Sequence, residues 1–304
     1  MRIPKRNRKN LKIAILTISI ALAIYITTAV LLLTIFKDKI QEQVTATIND
    51  NINGEVKIGS FSINILSNFP NASFTIKDFQ IANQATNLNK NEIINVKYIY
   101  LHINLIKLIT GKVELKRIIV KNSSIHIYRL TNGLKNTDGL IKRSEDKGEN
   151  NINSTLNKLN ITVSDVNIIY EDTIVACNFF DFTITHADVQ INSSTTGFYV
   201  SSKNTIATHQ IIFNKDRGSA LQDRKLQMQM MLDWNTKTQT YTILPTRVKD
   251  KNESFTLLGS ISLQETKALK LIIYNHSITL QNAVVLATPY AREKLTGFDF
   301  EDPM

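Results

Sequence analysis

Cysteine is almost absent from this chain of 304 residues, which contains only Cys177. A single cysteine excludes an intramolecular disulfide, so the fold must be held together by its apolar core. Cys177 lies in an apolar run with Ile174, Val175, Phe179 and Phe180. A buried structural thiol is therefore the expected role for this side chain.

Motifs that carry catalysis or hold cofactors are also missing. The sequence contains no GxGxxG, GxxxxGK[ST], GxSxG or HExxH motif, and no two histidines have metal-ligand spacing. On a strand, His186 and Asp188 would share one face while Thr185 would point to the other, which is unsuited to a catalytic triad. We therefore expect no enzymatic activity, no catalytic, cofactor-binding or metal-binding residues, and no cofactor.

Charge is absent from Ile13 to Phe36, a run long enough to cross a bilayer, which requires about 20 apolar residues. A cleavable signal peptide is the alternative, but its apolar core would be only about 7–15 residues long. Residues 13–36 are therefore predicted to form a transmembrane helix. A basic cytoplasmic tail, residues 1–12, precedes it and sets the topology through Arg2, Lys5, Arg6, Arg8, Lys9 and Lys12.

The formal net charge of +10 is largely explained by this tail, which holds six of the 36 basic residues and no acid. The remainder has 30 basic and 26 acidic residues, so no nucleic-acid partner is expected. One basic cluster contains Lys112, Lys116, Arg117 and Lys121. It is interpreted as a solvated strand, and a specific contact with an anion is the alternative.

Two periodicities follow the apolar run. Residues 37–53 are predicted to form an amphipathic helix with the stripe Ile40, Val44, Ile48 and Ile52, which either extends the membrane helix or packs on the body. From residue 54 to 304 alternation of period two predominates, in runs of about 5–8 residues. A bulge is predicted near Lys116, a flexible loop at 132–154, and a second helical rhythm at 280–295.

These patterns predict a mainly β protein with an N-terminal transmembrane helix and one or two amphipathic helices. The strands are expected to form an antiparallel β-meander with one apolar face. No helices long enough to cover that face are evident, so an open groove or half-barrel is expected, and a closed barrel or sandwich is the alternative.

Several stretches resemble the N-terminal region of AsmA-like proteins, which are anchored in the inner membrane of Gram-negative bacteria and face the periplasm. After the apolar run, the resemblance rests on residues 48–59 (INDNINGEVKIG), 66–83 (LSNFPNASFTIKDFQIAN), 96–101 (VKYIYL), 108–118 (LITGKVELKRI) and 132–138 (NGLKNTD). The turn Phe69-Pro70-Asn71 is the most specific of these signals. Family members are generally longer, so the chain is expected to be a short or truncated member.

The resemblance implies a periplasmic β-groove that guides phospholipid from the inner toward the outer membrane, with lipid-contacting residues unknown. The alternative function is a membrane-tethered scaffold or assembly factor for outer-membrane biogenesis that transports nothing. Roughly 12 strands spaced about 4.8 Å apart would span about 55 Å. A groove of this length would need envelope-protein partners or self-association to reach a second membrane.

Overall fold

The computed structural model describes most of the β-rich body. It covers residues 51–64, 71–83, 92–104, 114–129, 133–140, 158–172, 178–219, 221–250, 253–262 and 268–275, with single positions at 16, 17, 19, 20, 24, 27, 42, 45, 46, 48–50, 107, 174, 289, 290 and 293. The strands are β1 (Glu55–Asn64), β2 (Asn71–Ala82), β3 (Glu92–Asn104), β4 (Leu115–Tyr128), β5 (Lys158–Asp172), β6 (Asn178–Ser193), β7 (Gly197–Ile212), β8 (Arg224–Asn235), β9 (Thr240–Asp250), β10 (Glu253–Ser262) and β11 (Ala268–Tyr274). A 3-10 helix, Lys215–Arg217, precedes β8.

The strands form one sheet in which each is hydrogen-bonded to its neighbours in chain order, with β1 and β11 at the two edges. This confirms the prediction of a mainly β protein with an open sheet. The prediction that the meander is antiparallel throughout is wrong at one place, because β4 and β5 pair in parallel. The sheet is therefore mixed.

The parallel pair follows from the long connection after Tyr128, the last residue of β4. A parallel neighbour requires the chain to return to the starting end of the strand, and such a crossover takes a dozen residues or more. Within the segment predicted to be a flexible loop, residues 133–140 form turns in which Asn136 and Leu140 are buried. Residues 141–157 lie outside the described part of the chain.

Most strands are longer than the alternation predicts, at 10 to 16 residues. The reason is an interruption of the apolar alternation inside the strands. In the sequence this interruption resembles a turn between two shorter strands. At this interruption the pairing skips one residue in each strand from β1 to β6, and the skipped residues of adjacent strands lie opposite one another. We call this row the kink line; its members are Gly59, Asp78, Lys97, Asn122, Asp165 and Thr185.

Three residues of the kink line adopt the left-handed backbone conformation, with φ of 52° at Asp78, 53° at Asn122 and 55° at Asp165. Aspartate and asparagine are among the few residues other than glycine that tolerate this region. A left-handed residue turns the strand so that alternation resumes one residue out of phase. The kink line therefore keeps the apolar side chains of both strand halves on one face, although their spacing in the sequence changes.

The core shows this effect on β2. Phe74 and Ile76 precede the kink line and Phe79 and Ile81 follow it, and all four are buried in one cluster. A strand without the kink would direct one of these pairs toward solvent, because a shift of one residue reverses the face. The kink line is thus necessary for a continuous apolar face.

We expect the replacement Asn122→Val to reduce the free energy of unfolding by about 1–2 kcal/mol, because a β-branched residue is strained at positive φ. The side chain of Asn122 is exposed, so loss of burial does not contribute. Ser124→Val, at an exposed position on the same strand, is the matched control and should change stability by less than about 0.5 kcal/mol. Chemical denaturation of the full chain measures both; equal effects would contradict a strained role for Asn122.

The bulge predicted near Lys116 is confirmed. His102 pairs with Arg117 and Ile103 with Leu115, so Lys116 is the extra residue on β4. The bulge explains why Leu115 and Ile118 are out of phase in the sequence.

The core of β1 to β3 is sealed by segments from outside the sheet. Ile48 and Ile52 from the predicted amphipathic stripe pack against the buried cluster, and Leu140 belongs to it. Residues 37–53 are predicted either to extend the membrane helix or to pack on the body. Packing on the body is observed for Ile48 and Ile52, the last two residues of the stripe. The described positions between 42 and 51 are helical.

Hydrogen bonds join two of the segments that carry the family resemblance, 66–83 and 132–138, and link a third, 48–59, to Leu140 just beyond them. The side-chain amide of Asn83, at the end of 66–83, donates to the carbonyl oxygens of Asn136 (2.8 Å) and Asp138 (3.2 Å). The backbone N–H of Asn53, in 48–59, donates to the carbonyl oxygen of Leu140 at 2.7 Å. We call this junction the N-terminal latch, since it fixes the chain that enters β1 against the turn that follows β4.

Gly54 allows the close approach at this latch. A Cβ atom there would lie 2.6 Å from the carbonyl oxygen of Ala82 and 3.1 Å from a methyl group of Leu140. The glycine directly after the predicted amphipathic helix thus allows tight packing.

Candidate functional site: the apolar face of the sheet

The apolar side chains of β5 to β9 project from one side of the sheet, as the pairing register requires. Directly opposite residues share a face, and the ladders link Ile184 with Ile206 and Ile206 with Leu226. We call this surface the apolar face; its members include Ile161, Val163, Val166, Ile168, Ile184, Val189, Val200, Ile206, Leu226, Met228, Met230, Leu232, Ile243 and Val248.

Burial differs between the two ends of the sheet. On β2, Phe74 is 1% exposed and Ile76 is 3% exposed. Among the described residues of β5 to β9, the fully buried apolar side chains are Leu159, Val166 and Ala187. The rest of the apolar face is half-buried. A sheet face that is apolar but incompletely covered is typical of a surface that binds a ligand or a partner.

Polar and aromatic groups mark the ends of the apolar face on β8 and β9. At one end Arg224 forms an ion pair with Asp250 at 3.4 Å, with only 4% of the Asp250 side chain exposed. At the other end the rings of Trp234 and Tyr241 are stacked, with centroids 4.0 Å apart. A bound apolar chain would thus meet an ion pair at one strand end and aromatic rings at the other.

A second ion pair links β5 to the chain leaving β4. Arg129 Nε donates to Asp172 Oδ2 at 2.8 Å, and Arg129 Nη1 donates to the carbonyl oxygen of Gly133. The hydrogen bond to Asp172 is the main cause of the raised pKa of Arg129. Asp172 ends β5 and takes part in the turn that follows, since its Oδ1 accepts from the N–H of Ile174 at 3.3 Å, and its side chain is 4% exposed. No local sequence signal identifies its distant partner.

The segment containing His186 gives no catalytic triad. His186 Nε2 lies 3.0 Å from Asp188 Oδ2, so the two residues share a face as predicted. Hydrogen bonds from His186 and then Thr162 lower the pKa of Asp188. The Thr162 hydroxyl donates to Asp188 Oδ1 at 2.9 Å rather than to an imidazole.

The basic cluster is divided by the structure. Glu114 pairs with Lys107 at 2.8 Å and with Lys116 at 2.6 Å, and the hydrogen bond from Lys107, followed by that from Lys116, lowers its pKa to about 2. Arg117 instead donates to the Thr162 hydroxyl at 2.7 Å. Burial first, and then the charge of Arg117, lower the pKa of His102. Lys112 lies outside the described residues.

Other residues named from the sequence also lie outside the described part. They are the anchor ends Ile13 and Phe36, the six basic residues of the tail, Cys177, and two residues of the family turn, Phe69 and Pro70. Asn71, the third turn residue, begins β2 and pairs with Asn104. The helices within the described positions are too short or too polar to cross a membrane. Those positions also contain no cluster of metal-ligating side chains.

Comparison with known proteins gives one family match. The model of the AsmA family matches residues 5–278, a range that contains all eleven strands. A comparison with curated proteins finds none that matches the chain. Because the family match extends over most of its length, the chain belongs to the AsmA family.

Proposed function

We propose that this protein is a non-enzymatic, envelope-maintenance protein that holds phospholipid acyl chains on its apolar face and passes them from the inner toward the outer membrane. The observation that carries the proposal is the half-buried state of the apolar face across β5 to β9. Membership of the AsmA family supports an envelope-related role. Acyl chains suit this surface because burial of apolar area is favourable and needs no specific polar partner.

The proposed topology places a single transmembrane helix at residues 13–36, the N-terminus in the cytoplasm and the β-rich body in the periplasm. Leu16, Ile20 and Ile24 are helical and expose 60%, 51% and 62% of their surface. Large apolar side chains exposed at intervals of four residues suit a lipid environment. Such an anchor, close to β1 in the chain, would hold the sheet beside the bilayer that supplies lipid.

Strand β8 offers a direct test because its burial alternates at every residue from Lys225 to Met231. We expect a photoreactive amino acid at Leu226 or Met228, on the apolar face, to crosslink to phospholipid in cells. The same group at Gln227, on the opposite face, is the matched control and should give little lipid adduct. Mass spectrometry of the purified adducts identifies the lipid.

The outcomes separate lipid handling from the scaffold alternative. A scaffold that transports nothing predicts no phospholipid adduct at either set of positions and no lipid in the purified protein. Equal lipid adducts on both faces would indicate contact with bulk membrane and would also contradict a specific apolar site. Crosslinks to protein at Leu226 would favour an assembly role.

A further inference from the structure

The face of the sheet opposite the apolar face contains a depression of about 760 Å³ lined by residues of β4 to β9. Ligand sites typically have volumes of about 300–1,000 Å³. The register places Arg117, Asn160, Gln190 and Ser201 in one row across this face. We call the depression the polar pocket. The sheet itself separates it from the apolar face.

Cationic groups predominate among the charged side chains of the polar pocket. Arg117, Lys203 and Arg247 line it, against one acidic residue, Asp188. Within the described residues, Lys203 and Arg247 form no ion pair. The lining therefore holds three basic groups against one carboxylate, Asp188, which lies opposite Lys203 in the ladder, so two positive charges are in excess.

Asp188 offsets only one of the three positive charges, and both of its oxygens already have a partner. Thr162 donates to Oδ1 and His186 lies 3.0 Å from Oδ2. Arg117 lies 4.0 Å from Oδ1 and donates instead to Thr162. This hydrogen-bonded chain holds Arg117 in place. Lys203 and Arg247 remain available to a ligand.

The neutral side chains of the pocket are amides and hydroxyls, including Asn160, Gln190, Ser201 and Gln229. Amides offer both donors and acceptors, so they match the hydroxyl groups of a carbohydrate. Guanidinium and ammonium groups match oxyanions, to which they form charge-assisted hydrogen bonds. The lining also includes the apolar residues Ile161, Val189, Met230, Met231 and Pro245. Alternation directs the side chains of Ile161, Val189 and Met230 to the apolar face, and Met231 lies on the polar face.

We propose that the polar pocket binds a soluble, hydroxyl-rich organic anion, such as a sugar that carries a phosphate or carboxylate group. Lys203 and Arg247 contact the oxyanion, and the amides contact the hydroxyls. The ligand is separate from any lipid on the apolar face, because an acyl chain on that face cannot reach a headgroup site across the sheet. The proposal is thus independent of lipid handling.

Methionines report on the two faces separately. The chain has five methionines. Met231 pairs with Ser201 on the polar face, and Met228 lies on the apolar face. Carbon-13 methyl labelling of the full chain in non-ionic micelles therefore provides one NMR probe beside the pocket and one reference on the other side.

We expect glucose 6-phosphate to shift the Met231 methyl signal saturably and to leave Met228 unchanged, whereas neutral glucose shifts neither. Glucuronate tests whether a carboxylate can replace the phosphate. The Lys203→Gln and Arg247→Gln replacements together should weaken binding at least about tenfold, because two charged contacts are lost. Lys225→Gln, a replacement on the same face outside the pocket lining, is the control and should leave affinity within about twofold.

Several outcomes would overturn the proposal. They are the absence of a saturable Met231 shift with either anion, equal shifts with glucose, or equal loss of affinity in Lys225→Gln. A shift produced only by phosphatidylglycerol vesicles would assign the site to lipid instead. If the double variant alters the Met228 signal, the single variants Lys203→Gln and Arg247→Gln replace it, and each should weaken binding severalfold.

Discussion

Replacing Asn136 by alanine is expected to reduce the free energy of unfolding by about 3 kcal/mol. Its side chain is fully buried and bridges the backbone of β4, donating to the carbonyl oxygen of His126 at 2.8 Å and accepting from the N–H of Tyr128 at 3.0 Å. Alanine would leave both backbone groups without these bonds. Each buried group that loses its partner costs about 1–3 kcal/mol.

The control for this change is Asn95→Ala. The Asn95 amide makes one long, exposed hydrogen bond of 3.5 Å, to Glu92. Its loss should cost less than about 0.5 kcal/mol. Chemical denaturation of the full chain, followed by the β-sheet circular dichroism signal, measures both variants. A loss below about 1 kcal/mol in Asn136→Ala would show that the side chain does not secure the N-terminal latch.

We expect the Asn136→Ala replacement to destabilise regions beyond β4, because Asn136 is part of the N-terminal latch. Its carbonyl oxygen accepts from Asn83, and the same turn places Leu140 against the core. The turn also binds the backbone of Asn53, which leads from the amphipathic segment into β1. The latch is thus the route by which the body is held to the segment that follows the proposed anchor.

Much of the β architecture can be predicted from alternation alone. The pattern Leu226, Met228, Met230 and Leu232 appears in the structure as one strand with four half-buried residues on one face. The period of two reports which residues share a face, and it requires no knowledge of the neighbouring strands. The apolar face was accessible from the sequence for this reason.

Pairing direction could not be obtained in the same way. A long polar segment after Tyr128 is compatible with a hairpin excursion, a boundary between subregions or a crossover. Only the position to which the chain returns distinguishes them. The contact between Asn83 and Asn136 spans 53 positions in the sequence, and no local pattern links two asparagines at that distance.

The sequence pattern underestimates strand length for a related reason. At Asp78 and Asp165 the apolar pattern changes phase, which is compatible either with a turn between two strands or with one left-handed residue inside a strand. The two possibilities give the same sequence pattern. The positive φ values, aligned across neighbouring strands, distinguish them.

The second large effect is expected at the centre of the apolar face. Ile206 on β7 pairs with Ile184 on one side and Leu226 on the other, and its side chain is half-buried. We expect Ile206→Glu to reduce the phospholipid retained by the purified full chain at least about tenfold. A carboxylate on this surface would have to be desolvated against an acyl chain, at a cost of several kcal/mol. Quantitative mass spectrometry of extracted lipid measures the loss.

Thr205→Glu is the matched control, because it introduces the same charge at the adjacent residue of the same strand. Thr205 pairs with His186 and Gln227 on the polar face, so its variant should retain lipid at the level of the unmodified protein. Equal circular dichroism spectra and denaturation midpoints establish that both variants are folded. Retention unchanged in Ile206→Glu would place any lipid elsewhere than the apolar face. Equal loss in both variants would attribute the effect to net charge, because adjacent strand residues differ mainly in the face they present.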